Sequence, residues 1–268
     1  VKVGGGPGHA GYLEAKHGPV PIGNPKAGLA NSKLAEYLGV SRFDRRLMTS
    51  SAMNKTFTER YPQKKVRAYT DLYKDAVKLM RSSDLLAFDI ESEPERMHEL
   101  YGDSNFGQGC LLARRLVEHG VRYVEVTRGG WDTHDDNFDR VAENCSDVDN
   151  VVGTLLRDLD RRGLLNNTLV VMTSEFGRTP DINPRDGRDH WPNAFSAMFA
   201  GAGIKGGTLY GSSDELGKRV AENPTKPEDL NATIAHLMGM STLDIHYSPS
   251  GRPFKVAHEG TPVFDIFK

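Results

Sequence analysis

Gly130-Trp131-Asp132-Thr133-His134-Asp135-Asp136 brings one imidazole and three carboxylates together within five consecutive positions. Asp132 and His134 are two apart, so on an extended chain both side chains point the same way. A carboxylate oxygen and an imidazole nitrogen so placed can bind one divalent ion at about 2.0–2.2 Å. Two further segments carry matching chemistry: Thr173-Ser174-Glu175-Phe176-Gly177-Arg178-Thr179-Pro180, and Arg188-Asp189-His190-Trp191. Glu175, Asp189 and His190 can complete or bridge the coordination shell. Mixed imidazole and carboxylate donors suit Zn²⁺ or Mn²⁺ better than Mg²⁺, with Ca²⁺ as an alternative. Arg178 and Arg188 add guanidinium groups, which beside a metal can hold a phosphate or sulfate and stabilise charge in its transfer. The combination is the pattern of a metal-dependent hydrolase site.

Each of these residues also has a plainer reading. Asp135, Asp136 and Asp139 fit a helix cap and first-turn acids favoured by the helix dipole. Glu175 can simply pair with Arg178, His190 can be a hydrogen-bonded structural histidine, and either arginine can sit in a surface ion pair. Asp132, His134, Asp136 and Glu143 mimic a calcium loop, but its sixth position is Asn137 rather than Gly. Gly4-Gly5-Gly6-Pro7-Gly8 resembles a phosphate loop only superficially, lacking the Lys-Ser/Thr pair such loops need. His9, His17, His98, His119, His236, His246 and His258 show no ligand spacing and read as surface or core residues.

The elements that must position the three segments follow from periodicity. Residues 1–40 are rich in Gly and Pro and read as an irregular covering segment, with at most one short helix near Ser32–Leu38. Helices are expected over 41–60, over 65–81 with Tyr69, Leu72, Tyr73, Ala76, Val77 and Met80 as an apolar face, over 93–101, and over 106–119 ending at Gly120. Val121–Thr127 reads as a strand, 138–162 as a long helix buried along Val141, Cys145, Val148, Val152, Leu155 and Leu159, and Leu169–Thr173 as a strand. Strand, helix, strand predicts a right-handed βαβ unit with parallel strands. Loops at strand carboxyl ends would then share one edge, bringing Asp132, His134 and Glu175 together. A strand near Phe195–Ala200, a Gly-rich region to Gly211 and a helix from Pro227 to Met238, with Leu230, Ile234 and Leu237 inward, complete the pattern. The expected fold is α/β, a mostly parallel sheet flanked by helices. Residues 1–60 would form an irregular part of the same domain and 61–268 its α/β body.

At 268 residues, 38% apolar and 26% charged, the chain has ordinary globular composition. A net charge of −2 gives no reason to expect nucleic acid or an anionic membrane surface as partner. No apolar run is long enough to span a bilayer. Cys110 and Cys145 read as small buried hydrophobes rather than a disulfide framework. The chain begins Val-Lys-Val and shows no leader, so it reads as a piece of a longer protein.

Taken together, Gly130–His134, Leu111-Leu112-Ala113-Arg114-Arg115-Leu116-Val117, Arg162-Gly163-Leu164-Leu165, the run from Thr168 to Pro180, and Gly187–Trp191 resemble the bacterial family catalogued as domain of unknown function 1501. That family is similar to the alkaline phosphatase and sulfatase superfamily. The resemblance implies an alkaline-phosphatase-like fold, metal dependence, and hydrolysis of a small-molecule or glycan phosphate or sulfate ester. By position, Asp132 with His134 matches the first ligand segment, Glu175-Phe176 the second, and His190 the third, as ligand or general acid. Phe176 departs from the pattern, because a phenyl ring cannot ligate. The superfamily's nucleophile comes from an N-terminal strand with no counterpart in residues 1–60, which makes the chain a C-terminal portion, incomplete at its N-terminus. Family resemblance also implies a periplasmic or secreted parent.

Overall fold

The computed structural model describes residues 1–5, 10, 13, 17–248 and 250–268, and for Lys64 and Lys65 the backbone alone. Gly6–Gly8 and His9 lie outside the described residues. The chain divides into two compact units, Val1–Arg128 and Gly129–Lys268.

The first unit holds strands β1 (Lys2–Val3) and β2 (Pro21–Ile22), helices α1 (Val40–Arg60), α2 (Lys64–Met80), α3 (Glu95–Tyr101) and α4 (Asn105–Glu118), and strand β3 (Glu125–Val126). Its sheet is parallel with order β2-β1-β3. The Gly- and Pro-rich start therefore contains two short strands that put Val3 and Ile22 in the core, not merely a surface covering. Two-residue strands show no alternation for a sequence reading to detect. Ser32–Leu38 forms turns rather than a helix.

Helix α4 is the centre of this unit. Cys110, Leu111, Leu112 and Leu116 are buried. Ser104 caps the helix by accepting from the Gly107 amide at 3.0 Å. Two glycines let it approach its neighbours. A Cβ on Gly107 would stand 1.9 Å from the Tyr101 carbonyl oxygen, and one on Gly109 would meet Val126 and Val3 at 3.0–3.1 Å. Arg114 lies fully inside, donating to Glu93 at 2.5 Å and to Glu118 at 2.8 Å, and Arg115 also binds Glu93. Burial pushes the Glu93 carboxyl up, but the Arg114 and Arg115 guanidinium ions overcome that and hold it below its ordinary value.

The second unit holds helix α5 (Asn137–Arg161), strands β4 (Leu169–Met172), β5 (Gly177–Arg178), β6 (His190–Trp191), β7 (Met198–Gly201), β8 (Ser212–Ser213) and β9 (Val220–Glu222), helix α6 (Pro227–Leu237), and strands β10 (Ile245–Tyr247) and β11 (Pro253–Lys255). Its described sheets are antiparallel pairs: β4 with β7, β5 with β6, β8 with β9, β10 with β11. The mixture of helices and strands is as expected, but the parallel arrangement is confined to the three strands of the first unit. The expected βαβ pairing is not formed, since β3 pairs with β1 and β4 pairs with β7. Between β4 and β7 the chain makes the β5–β6 hairpin and no helix. A parallel neighbour requires a crossover, which such a connection does not supply.

Helix α5 buries Asn137, Asn144, Val151, Thr154 and Leu159. The buried line is offset from the expected stripe and is more polar; of the expected members Leu159 is buried, and Cys145 is exposed. The reason is that Asn137 and Asn144 are turned inward to bind loops. In α6 likewise, Ala232, Thr233 and Ala235 are buried, and the C-terminal segment docks against that face. Asp229 accepts from the Lys226 amide at 2.9 Å and the Thr261 amide at 2.8 Å, and Thr233 accepts from the Val263 amide at 3.0 Å. A Cβ on Gly260 would lie 2.0 Å from the Glu228 carbonyl oxygen.

Two stability predictions follow from the buried ion pair. Glu93→Gln leaves Arg114 without its full counter-charge and should cost about 3–5 kcal/mol in urea unfolding. Because the folded Glu93 carboxyl binds its proton less readily than the unfolded one, its contribution is present above the ordinary value of 4.5 and drains away as pH falls through the lower folded value. Acid unfolding of the wild type should be steeper across that window than that of Glu93→Gln.

Candidate metal centre

Asp132 and His134 lie on a loop rather than the extended chain expected, with a tight turn at Asp132 closed by the Thr133 amide donating to the Trp131 carbonyl at 3.0 Å, and His190 begins β6. Three atoms converge. Asp132 Oδ1 lies 3.0 Å from His134 Nε2 and 2.9 Å from His190 Nε2, and the two imidazole nitrogens are 3.2 Å apart. Among the described residues these three side chains form a group able to hold a metal ion. Separations of about 3 Å are those of neighbouring ligands sharing one cation at about 2.0–2.2 Å.

The protonation pattern sharpens the point. His134 Nδ1 is 2.6 Å from Asp189 Oδ1. An ionised carboxylate only accepts, so Nδ1 carries the proton and neutral His134 presents a lone pair at Nε2. That lone pair faces Asp132 Oδ1, which also has only lone pairs to offer. A proton on His190 Nε2 serves two edges of the triangle and leaves the Asp132–His134 edge repulsive. The triangle is at ease only with additional positive charge, from a proton on His134 or from a cation. Two histidines and a carboxylate, with one histidine fixed by a second carboxylate, is a donor set that fits a divalent metal.

Arg178 Nη1 donates to Asp132 Oδ1 at 2.8 Å. Its guanidinium lies 5.7 Å from the Phe176 ring centroid, and that ring packs 4.4 Å from the His190 ring. Phe176 therefore packs against both the His190 imidazole and the Arg178 guanidinium. His190, first, and Arg178 hold the Asp132 carboxyl down at about 2. His134, first, and Asn183 hold the Asp189 carboxyl below its ordinary value.

The chain holds this arrangement by close approach. In the β5–β6 hairpin Arg178 is directly opposite His190. A Cβ on Gly177 would come 2.2 Å from the Ala194 carbonyl oxygen, and one on Gly187 would come 2.0 Å from the His134 carbonyl. Buried Thr133 donates to Asn137 at 2.7 Å, and Asn144 donates to the Gly130 carbonyl at 2.8 Å. Asn183 donates to the His134 carbonyl at 3.0 Å and accepts from the Gly187 amide at 3.0 Å. The first amides of α5 donate to backbone as well: Asn137 reaches the Asp186 carbonyl at 3.0 Å. Asp136 stands at the cap position in a left-handed conformation with no side-chain cap, and Asp135 pairs with Arg140 at 2.6 Å. The expected carboxylate cap is thus replaced by loop carbonyls.

Of the residues singled out by sequence, Asp132, His134 and His190 are brought together, and Asp189 joins through His134 rather than at the triangle. Glu175 is exposed and outside the cluster, and Arg178 pairs with Asp132 instead of with it. Arg188 departs from the anion-binding expectation: its Nη1 donates to the Thr179 and Pro180 carbonyls, each at 2.6 Å, tying one side of the hairpin to the other. Asn144 and Asn183 escaped the sequence reading, and Thr133, Asn137 and Gly187 were named in its motifs without a positioning role. Gly187 and Asn183, close to the Arg188–Trp191 segment, offered the only local hint, as a turn-forming pair.

Two measurements test this geometry. In carbon-13 NMR of the metal-free chain, Asp132 should titrate near 2, and Arg178→Gln should move it upward. Gly187→Ala should destabilise the second unit by about 1–3 kcal/mol and perturb the His134 imidazole resonances; unchanged spectra would mean the loop is looser than the contacts imply.

The family model described as "Protein of unknown function (DUF1501)" matches residues 1–267. No curated protein and no solved structure matches the chain. With a match running over nearly its whole length, the chain belongs to the DUF1501 family.

Proposed function

We propose that this chain carries the metal-binding part of a metal-dependent hydrolase of phosphate or sulfate esters, related to the alkaline phosphatase and sulfatase superfamily. The observation that carries the reading is the triangle of Asp132 Oδ1, His134 Nε2 and His190 Nε2, with edges of 2.9–3.2 Å. Zn²⁺ or Mn²⁺ fits its mixed donors. Bound there, the ion would polarise an ester oxygen and favour ionisation of an attacking group.

The protein's own groups have distinct parts. Asp189 fixes the His134 tautomer so that Nε2 faces the triangle. Phe176 holds the plane of His190. Arg178 gives one N–H to Asp132, and its remaining donors suit an anionic ester oxygen in a bidentate or angled grip. His190 is the residue placed to be ligand or proton donor. The nucleophile is not assigned to any residue of this chain. On the same reading the parent protein works in the periplasm or outside the cell, where ester substrates of small molecules or glycans are met.

A second reading is a non-catalytic binding or cell-surface protein that retains the fold. It is favoured by Phe176, whose ring takes the place of a ligand, and by the exposure of Glu175.

Elemental analysis should find about one Zn or Mn per chain, lost in His134→Ala and His190→Ala; Asp189→Asn should weaken affinity about 10–100-fold. Aryl phosphates and aryl sulfates should be turned over by the full-length protein with Zn²⁺ or Mn²⁺ and not by Asp132→Ala. Metal bound without turnover above that control would leave the second reading standing.

A further inference from the structure

The charge of the chain is unevenly placed. Residues 40–81 contain eleven Lys and Arg against four Asp and Glu, a local charge of +7 in a protein of net −2, so the remainder carries −9. This segment is the helical pair α1–α2, whose far ends are joined by an Arg81–Asp44 ion pair. Lys74 lies 3.7 Å from Asp71. Two of the four acids are thus matched within the pair, and the excess is basic.

The same helices leave apolar side chains in water. The 3–4 spacing of Tyr69, Leu72, Tyr73 and Ala76 does form a helix face, but that face is turned outward rather than into the core: Tyr69 is 68% exposed, Leu72 51% and Tyr73 46%. On α1, Arg42, Arg46, Met53 and Phe57 follow one line at helical spacing, and Met53 is 70% and Phe57 53% exposed. Arg42, Arg45, Arg46 and Met53 line a surface depression there. Helix α1 buries none of its residues.

We propose that α1–α2 is a docking surface for an anionic lipid bilayer. Basic helices with an apolar stripe lie in the headgroup region, with Leu, Met and Phe entering the acyl boundary and Lys and Arg reaching outward to lipid phosphates. Tyrosine suits that boundary, its ring apolar and its hydroxyl wet. Charge selects the occupant. A symmetric pairing of two copies through this face would set +7 against +7. A nucleic-acid duplex would satisfy the cations but offers no apolar surface for Leu72 and the tyrosines. The binding is peripheral: among the described residues no helix is long and apolar enough to cross a membrane.

Vesicle co-sedimentation of the full chain tests this. Binding should appear on phosphatidylcholine vesicles containing phosphatidylglycerol, be absent on phosphatidylcholine alone, and weaken at high salt. Arg42→Gln with Arg46→Gln should lower affinity about fivefold per charge removed. Leu72→Ser, at an exposed position, should lower it further while far-ultraviolet circular dichroism stays unchanged; if that variant loses helix, the arginine pair decides. No binding to anionic vesicles, equal binding to neutral ones, indifference to both sets of substitutions, or tighter binding to duplex DNA would overturn the proposal. So would self-association that Leu72→Ser abolishes.

Discussion

Three lone-pair donors within about 3 Å of one another repel unless positive charge is shared among them. Asp132 Oδ1, His134 Nε2 and His190 Nε2 are in that situation. Arg178 offsets part of the strain by donating to Asp132 from outside the triangle. It cannot offset the Asp132–His134 edge, because Asp189 holds the only proton of neutral His134 on the other ring nitrogen. The loops of the second unit therefore hold in place a cluster that a cation or an extra proton relaxes. Structural histidines ordinarily avoid this, since rotating one ring would remove the conflict at little cost. Here a flip of His134 would break its bond to Asp189, and the His190 ring lies packed beside Phe176.

Holding such a cluster requires backbone precision, and the structure obtains it from contacts too close for side chains. Gly177 and Gly187 each sit where a Cβ would overlap a carbonyl group. Asn183 closes its own loop through the Gly187 and Arg185 amides and reaches across to the His134 carbonyl. Asn144 and Asn137, both on α5, anchor the loop from Gly130 to Thr133. The helix is thus partly a polar scaffold, and its inward face is less apolar than a packing helix needs to be.

This explains what was legible in the sequence. The Asp132–His134 spacing and the Asp189–His190 pair pointed to one locus because few structural roles ask for imidazole and carboxylate two residues apart. The extents of α1, α2, α4 and α5 were legible because 3.6-residue periodicity marks a helix regardless of what it packs on. The destination of each face was not. Tyr69, Leu72 and Tyr73 keep their periodicity but face water, while Asn144 is buried beside exposed Cys145. Strands β1 and β2 escaped because two residues cannot alternate visibly, and the β4–β7 pairing because strand direction depends on the intervening path. Asn183 and Gly187 act through backbone groups, which residue type barely records.

Arg178 connects the cluster to the proposed chemistry. As it stands, the guanidinium is bound to the most acidic carboxylate of the site, Asp132, and braced by Phe176. The N–H given to that carboxylate is closed to an incoming anion, while the remaining donors are not committed to Asp132. On the proposed reading, positive charge in the triangle draws on the same Asp132 oxygen and weakens its hold on Arg178, so the guanidinium is freer to grip an anionic ester when the site is loaded. Affinity for the anion and affinity for the cation would then rise together, and by linkage each would strengthen the other. A purely structural histidine cluster has no reason to place an arginine on the one carboxylate oxygen that both imidazoles share.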